Sequence, residues 1–403
     1  MKRTILVFLF VVSLAYAVSD KIAIVNGRLI DGKEDAVRDQ ITVLISDGKI
    51  ESIKKNGRVP AGYETVDLRG GTLLPGFIDA HTHIRSVSSA KRALESGVTT
   101  VRSASTPNFQ DVGLRELVKS GAIAGPDMVA AGVFVTPNLG ESVLADPRFG
   151  ALMDGVNSEE ELRTLVRINA DRGVDVIKTR GTERAGLPQT DPRKQTYTQA
   201  QLSAIVDEAA RHNIPVMAHA HGDEGGYAAV AAGVRSIEHG TYLSDRTLKL
   251  MKKNETFLVP TFTTVVDLTE PGGDYDNPVL FIRGQHMLPA LERTVKQAYK
   301  MGIKIVTGAD TYYGSESVTR VGMEITNFVR LGMTPMDAIR SATSVGAELL
   351  QISDRTGTVA VGKEADLIAV PDNPLEDIRA VQDVVLVISN GVIALNRLPF
   401  QKG

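Results

Sequence analysis

Five of the seven histidines in this 403-residue chain fall at the ends of short apolar stretches. His81 and His83 stand one residue apart in GFIDAHTHI, His219 and His221 repeat that spacing in VMAHAHG, and His239 closes RSIEH. Residues i and i+2 of a β-strand point to the same face, so each pair directs two imidazoles to one place. Neutral imidazole is a common ligand of divalent metal ions, so these five residues are candidate metal ligands.

Two charged residues occupy the same kind of position. Lys178 follows the apolar stretch VDVI, and Asp310 ends KIVTGAD. A carboxylate ligates metals readily, whereas an ammonium among imidazoles would repel a cation. Carboxylation of the Lys178 amine by CO₂ would turn it into an anionic oxygen ligand able to bridge two metals. Asp310 can ligate one metal and also accept a proton.

The elements that must position these residues alternate along the chain. From about residue 77 to 350, short apolar strands alternate with amphipathic helices, and capping-box spacing marks two helix starts, Ser158 with Glu161 and Thr198 with Gln201. Thr334-Pro335 marks a third helix start. The predicted strands are FIDAH, VTTVRSA, DMVAAG, VDVIKT, PVMAHA, RSIEHG, FLVPT and KIVTGAD.

Eight alternating units predict an α/β fold, a (β/α)8 TIM barrel, whose active site lies at the carboxyl ends of the strands. The candidate ligands fall at those ends. A doubly wound open sheet is the alternative, and it is disfavoured because no G-x-G-x-x-G follows an early strand. Two stretches, 133–157 and 262–285, show no clear element, and long loops of this kind typically form lids or substrate walls.

Both ends of the mature chain are predicted to be antiparallel β-structure. Short β-branched runs occur near the start, in KIAIVNGRLIDG and QITVLISDGKIESIKK, and near the end, in GTVAVGKEADLIAV and DVVLVISNGVIAL. Asn-Gly and Asp-Gly dipeptides among them are turn signals. The simplest joint interpretation is one small β-sandwich built from both termini. The predicted division is therefore 18–75 and 357–403 for the sandwich and 76–356 for the barrel.

The first residues, MKRTILVFLFVVSLAYA, are typical of a secretory signal peptide over 1–17. Lys2 and Arg3 precede a short apolar core, and Ala15-Tyr16-Ala17 is a small-x-small cleavage site. A membrane anchor is the alternative, but the apolar run is too short to span a bilayer comfortably. We expect an exported protein, periplasmic or secreted, without stable membrane insertion after cleavage.

Composition narrows the function classes further. The net charge of −3 and the lack of a long basic tract give no sign of nucleic-acid binding. The chain contains no cysteine, which excludes thiol catalysis and disulfides and leaves nitrogen and oxygen as metal ligands. The expected partner is a small-molecule amide or dipeptide, and a homo-oligomer is compatible with the sequence.

The sequence resembles the amidohydrolase superfamily, most closely the branch that contains Xaa-Pro dipeptidases, related metallocarboxypeptidases and imidazolonepropionase-like proteins. The resemblance covers nearly all of the mature chain. The motifs that carry it are LPGFIDAHTHI (74–84), IKT around Lys178, AHAHG (218–222), SIEHGT (236–241), TGAD (307–310) and GTVAVGKEADLIAV (357–370).

The resemblance implies a binuclear metal centre of two divalent ions, with Zn²⁺ as the expected metal. His81, His83 and Asp310 would hold one ion and His219 and His239 the other, with carboxylated Lys178 bridging both. His221 and Tyr242 would orient the scissile carbonyl, and Asp310 would carry the proton. From periodicity alone, His219 and His221 are equally good ligands, because they share a face.

The predicted activity is hydrolysis of an amide or peptide C–N bond, in dipeptides or N-acyl amino acids, by a hydroxide that bridges the metals. The substrate carboxylate would need a cation, for which Arg180, Arg184 and Arg320 are candidates. One alternative is a mononuclear deaminase or cyclic amide or imide hydrolase that uses Glu224 as proton shuttle. An inactive exported binding protein is a further alternative, and phosphotriester hydrolysis could be a side activity.

Overall fold

The computed structural model describes residues 21–398. Strands from both ends of this range form one eight-stranded sheet, and the strands between them form two parallel sheets, one of three strands and one of four. In chain order the strands are Lys21–Leu29 (β1), Arg38–Ser46 (β2), Lys49–Lys55 (β3), Glu64–Asp67 (β4), Thr72–Pro75 (β5), Phe77–Thr82 (β6), Val98–Ser103 (β7), Asp127–Val129 (β8), Ile177–Arg180 (β9), Val216–Ala220 (β10), Ser236–His239 (β11), Phe257–Val259 (β12), Leu367–Val370 (β13), Leu386–Ser389 (β14) and Val392–Asn396 (β15).

Helices follow most strands of the two parallel sheets. They are Val87–Glu95 (α1), Gln110–Lys119 (α2), Glu159–Asp171 (α3), Gln199–Arg211 (α4), Asp223–Ala232 (α5), Asp245–Lys253 (α6), Phe262–Asp267 (α7), Pro278–Lys300 (α8), Val321–Arg330 (α9), Pro335–Ser341 (α10) and Ser344–Leu349 (α11). Both predicted capping boxes form, at the starts of α3 and α4. Thr334 caps α10, with Pro335 at its first position, as predicted.

The eight-stranded sheet joins the two ends of the described chain. Its order is β15-β14-β13-β5-β1-β2-β3, with β4 also paired to β1, and the ends meet where Leu74 of β5 lies opposite Ile368 of β13. The predicted Asp-Gly and Asn-Gly turns close the β2–β3 and β14–β15 hairpins, with both residues of each turn at positive φ. The two ends of the described chain therefore pair within one continuous sheet. The predicted β-sandwich, in which two sheets would pack face to face, stays a prediction.

Seven of the eight strands predicted for the central region form. They lie in the parallel orders β6-β7-β8 and β12-β11-β10-β9. The eighth, KIVTGAD, does not form a regular strand, and its last residue, Asp310, has a φ of 45°. The segment still touches both sheets through isolated bridges, Ile305 to Leu258 and Thr311 to Thr82.

The two long loops contain short helices that the sequence did not indicate. Two 3-10 helices, Gly140–Ala145 and Pro147–Leu152, occupy the first loop, and α7 and the start of α8 occupy the second. Residues of both loops, including Phe134, Ser142 and Tyr275, line the cavity at the candidate site. Their predicted role as walls of the site agrees with this position.

Apolar side chains form separate cores in the two parts of the fold. The largest cluster fills the space between the parallel strands and their helices, and a second one covers the eight-stranded sheet. Within residues 21–398, none of the helices has the length and apolar content needed to cross a membrane. The predicted signal peptide, 1–17, lies outside the described residues.

We expect Gly391→Ala to destabilise the protein more than Gly362→Ala. Both glycines have positive φ, at 79° and 88°, so each substitution should cost about 1–2 kcal/mol from backbone strain. A Cβ on Gly391 would lie 2.4 Å from the Gly48 Cα, whereas a Cβ on Gly362 would meet nothing within 4 Å. The steric conflict should add about 1–3 kcal/mol. Thermal unfolding followed by circular dichroism measures both, and equal midpoints would contradict the close packing of the two hairpin turns.

Candidate metal centre

The predicted ligands converge on a cavity of about 300 Å³. This volume is at the small end of the range for small-molecule sites. All seven candidates line the cavity: His81, His83, Lys178, His219, His221, His239 and Asp310. A larger cavity, of about 1130 Å³, lies among strand starts such as Thr100 and Asp127 and contains none of them. The smaller cavity is therefore where chemistry can occur.

The first cluster consists of His81, His83 and Asp310, with ligand atoms within 4.8 Å of one another. The Nδ1 of His81 donates to the Glu238 carboxylate at 2.7 Å, and the Nδ1 of His83 donates to the Ser105 carbonyl at 3.1 Å. Each partner can only accept, so both imidazoles keep a free lone pair on Nε2. These Nε2 atoms lie 3.5 and 3.2 Å from Oδ1 of Asp310.

Three atoms able to ligate a metal ion, the two Nε2 atoms and Oδ1 of Asp310, thus face one another. Burial, followed by the nearby Lys178, lowers the pKa of His81 to about 4, so that imidazole is neutral at pH 7. Burial favours a neutral Asp310, but the His81 and His83 imidazoles and Lys178 hold the pKa of Asp310 below its usual range. When both imidazoles are neutral, three lone pairs face one another, and a cation placed between them stabilises this arrangement. These residues therefore fit a divalent metal ion.

The second cluster is formed by His219, His221 and His239, all buried. Ring centroids are 4.5 to 4.8 Å apart. Burial lowers the pKa of His221 to about 3, and burial with the neighbouring imidazoles holds the pKa values of His219 and His239 well below normal. Three neutral imidazoles at this spacing also fit a metal ion. His221 is as close to the set as the two predicted ligands.

Lys178 lies beside the first cluster, with its Nζ 3.4 Å from the His81 Nε2. Its side chain is buried, and in the described part of the chain no carboxylate lies within ion-pair distance of it. Burial lowers the pKa of Lys178 to about 8 despite the opposing effect of Glu238 and Asp310. The residue is the second of β9, and the strand continues to Arg180, one residue beyond the predicted strand VDVIKT.

A buried ion pair beneath the cluster was missed by sequence reasoning. Oε1 of Glu238 accepts from Arg102 at 2.9 Å and from Ser236 at 2.5 Å, while Oε2 accepts from His81. Burial opposes the ionisation of Glu238, but Arg102 and His81 outweigh it and lower its pKa to about 2. The carboxylate therefore fixes the His81 tautomer, which is the usual role of a residue behind a metal ligand.

Asp79 is a second buried carboxylate that the sequence analysis overlooked. It accepts from the backbone of His81 and Ala309 and from the Tyr313 hydroxyl, at 3.1, 3.0 and 2.8 Å. It therefore ties β6 to the segment that carries Asp310. Both missed acids stand inside quoted motifs, Asp79 in GFIDAH and Glu238 in SIEHGT. For Asp79, its position between Ile78 and Ala80 within a strand was the available signal.

Backbone strain also concentrates at this cavity. Four non-glycine residues that line it have positive φ, namely Ser105 (102°), His239 (73°), Thr261 (46°) and Asp310 (45°). Each such conformation costs about 1–3 kcal/mol and persists only where the surroundings enforce it. Their clustering around the candidate ligands supports a functional site.

Several predicted residues lie away from the cavity. Tyr242 is outside its lining, and the Tyr242 hydroxyl lies 3.3 Å from Nδ1 of His286. Glu224 is exposed on α5, and Arg320 stands at the start of α9 over the Tyr313 ring. Arg180 and Arg184, by contrast, both line the cavity.

Comparison with known proteins agrees with this geometry. A model of the amidohydrolase family matches residues 72–394. The chain belongs to the amidohydrolase family. A solved Xaa-Pro dipeptidase with methionine bound in its active site has 32% identity and a TM-score of 0.82, over 93% of this chain and 99% of that one.

Two amidohydrolase relatives with named activities are also similar. Ochratoxinase of Aspergillus niger is 29% identical over 89% of this chain and 82% of its own length. Imidazolonepropionase of Nocardia farcinica is 25% identical over 83% of this chain and 86% of its own length. The predicted family and branch are confirmed, and the protein is a hydrolase that acts on C–N bonds.

We expect Glu238→Gln to lower both stability and metal content. The substitution leaves the Arg102 cation buried without its counter-ion, which should cost about 3–5 kcal/mol, and it weakens the acceptor that fixes His81. Thermal unfolding and metal analysis by mass spectrometry measure the two effects. Glu208→Gln is the matched control, since Glu208 is also buried and paired with arginines but lies on α4. Glu208→Gln should lose stability and keep its metal, and equal metal content in both variants would contradict the proposed role of Glu238.

Proposed function

We propose that the protein is a binuclear metal-dependent hydrolase that cleaves the amide C–N bond of dipeptides or N-acyl amino acids. The observation that carries the proposal is the convergence of possible ligand atoms in two adjacent clusters, with buried Lys178 at the first. His81, His83 and Asp310 would hold one ion and His219 and His239 the other. Carboxylated Lys178 would bridge them, with Zn²⁺ as the expected metal.

Carboxylation of Lys178 would resolve two misfits of its ammonium. A buried cation without an ion-pair partner is costly, and it would repel metal ions held by the adjacent histidines. After the ammonium loses a proton to solvent, the neutral amine adds to CO₂, so an N–C bond replaces one N–H bond, a second proton is released to solvent and an anionic carbamate results. When bound, the two divalent ions supply Lewis-acid polarisation of the substrate carbonyl and an activated water at neutral pH.

The side chains then divide the remaining work. Asp310 takes a proton from the attacking water and delivers it to the leaving nitrogen, so the products are a carboxylate and an amine. His221, which lines the cavity beside His239, orients the scissile carbonyl by donating to its oxygen. Tyr242 was predicted to share that role. Because its hydroxyl contacts His286, the Tyr242 side chain would have to rotate to reach the substrate carbonyl.

The substrate class rests on cavity size, positive charge and relatives. About 300 Å³ suits a dipeptide or a small N-acyl amino acid. Arg180 and Arg184 line the cavity and can bind a carboxylate. Dipeptidase and ochratoxinase relatives favour amide substrates. The rival deaminase has less support, because Glu224 is exposed on α5 and lies outside the cavity lining, and an inactive binding protein would not need so complete a ligand set.

The closed barrel, the domain boundaries and the β-sandwich are part of the same proposal. We infer that the two parallel sheets close into the predicted (β/α)8 barrel, supported by hydrogen bonds of segment 304–311 to both sheets. The divisions at 76 and 357 and the terminal β-sandwich are proposed with it. Export to the periplasm or the medium follows from the predicted signal peptide alone.

We expect the zinc-loaded protein, prepared with bicarbonate, to bind about two metal ions per chain. Lys178→Ala should lose metal and turnover of dipeptides together, because the bridging ligand is gone. His221→Ala is the matched comparison, and it should keep its metal and lose turnover. Metal analysis by mass spectrometry and release of free amino acid measure both. Full activity of Lys178→Ala, or one metal ion per wild-type chain, would contradict the binuclear centre.

The export proposal predicts the mature N-terminus. When the full chain is expressed in a bacterium, the exported fraction should begin at Val18, since Ala15 and Ala17 form the cleavage site. Ala15→Arg should block processing and leave the longer chain. N-terminal sequencing decides, and an unprocessed Met1 in the fully active protein would contradict it.

A further inference from the structure

The cavity at the candidate metal centre carries an excess of cationic side chains. Apart from Lys178, which the proposed function makes anionic, three of its lining residues are basic, Arg85, Arg180 and Arg184, while Asp310 is its one carboxylate among the residues that the structure describes. The chain as a whole has a net charge of −3, so this excess is local. A concave site of one sign concentrates ligands of the opposite sign.

Two of these cations have no partner of their own. Arg180 lies on the Phe134 ring, with its guanidinium carbon 4.8 Å from the ring centroid, and its buried Nε lacks a hydrogen-bond acceptor. Within residues 21–398, neither Arg180 nor Arg184 forms an ion pair. The neighbouring Glu183 is engaged elsewhere, with Lys194 at 2.9 Å. Buried or half-buried arginines usually have carboxylate partners, so these two fit ligands that bring carboxylates.

Their positions relative to the metal cluster suggest how a ligand would lie. Lys178 and Arg180 are two residues apart on β9, so both side chains point to the same face, with their Cα atoms about 6–7 Å apart along the strand. Arg184 follows four residues later, in the loop after β9, and also lines the cavity. A substrate whose carbonyl lies at the cluster could therefore place one anionic group at Arg180, which shares a strand face with Lys178, and a second at Arg184.

We propose that the cavity selects amides whose leaving amine is an acidic amino acid, aspartate or glutamate. Arg180 would bind the α-carboxylate and Arg184 the side-chain carboxylate. The inference rests on the proposed function and adds its substrate class. In the reaction, water adds its oxygen to the acyl carbon, the C–N bond breaks and the nitrogen takes a proton. The products are a carboxylate and free aspartate or glutamate.

The test compares substrates that differ only in the side-chain charge. Zinc-loaded protein is assayed with Gly-Glu against Gly-Gln and with N-acetylglutamate against N-acetylglutamine, since glutamine has nearly the same shape. We expect kcat/KM to favour the acidic member by about ten- to a hundredfold, the worth of one charge-assisted contact. Arg184→Gln should bring this ratio towards one. Arg379→Gln, at an arginine exposed on the helix Ile378–Gln382, is the control and should leave the ratio unchanged.

Calorimetric binding of free L-glutamate and L-glutamine to the zinc-loaded protein gives a second readout that needs no turnover. Tighter binding of glutamate, weakened by Arg184→Gln, would support the proposal. Similar kcat/KM for the acidic and neutral members would overturn the acidic preference and leave the hydrolase proposal intact. If none of the four amides is cleaved, the hydrolase proposal fails for them, and glutamate binding no tighter than glutamine would overturn the acidic site as well.

Discussion

A buried network of hydrogen bonds, from Arg102 through Glu238 to His81, is the interaction on which the site depends. Arg102 and His81 stand on neighbouring strands of one parallel sheet, and Glu238 stands on the other, so the ion pair connects the two sheets through the interior. A buried charge without its partner is costly, which holds these strands in one arrangement. The same carboxylate fixes the tautomer of His81. The Glu238 carboxylate therefore contributes both to the stability of the fold and to the fixed tautomer of His81.

The two clusters are held by different kinds of partner. Acceptors that cannot donate fix the tautomers of His81 and His83, a carboxylate and a carbonyl. In the second cluster, Nε2 of His219 also donates to a carbonyl, that of Glu183, at 3.0 Å, whereas the Nδ1 atoms of His221 and His239 contact the hydroxyls of Thr241 and Thr261, which can donate or accept. The tautomers of the first cluster and of His219 are thus fixed, whereas His221 and His239 can exchange tautomers. We expect the first cluster to be the more rigid metal site and the second to adapt as substrate binds.

Much of this arrangement was predictable because it follows from period-two alternation and from the position of sites at strand ends. The paired histidines, the capping boxes and the hairpin turns all obey local rules. The misses have a common reason, which is that tertiary contacts decide them. Glu238 and Asp79 resemble solvated acids until their partners from other strands are known, and Asp310 has a left-handed backbone that no propensity indicates. Tyr242 was assigned by resemblance, and its observed contact lies outside the cavity.

The unpaired arginines lower the stability of the free protein and provide groups that can bind a ligand. A cation such as Arg180, mostly buried and with one nitrogen lacking an acceptor, destabilises the free protein, as do the strained backbones of His239 and Asp310 nearby. Features of this kind persist at sites where a ligand relieves them. Arginine suits this position better than histidine or a carboxylate, because it has no lone pair to compete for metal and can take a carboxylate through two parallel N–H bonds. Under the proposed function, the cavity therefore has two chemically distinct parts: the acceptor atoms of the clusters would hold the metals, and the donors on β9 and the loop after it would bind an anionic substrate.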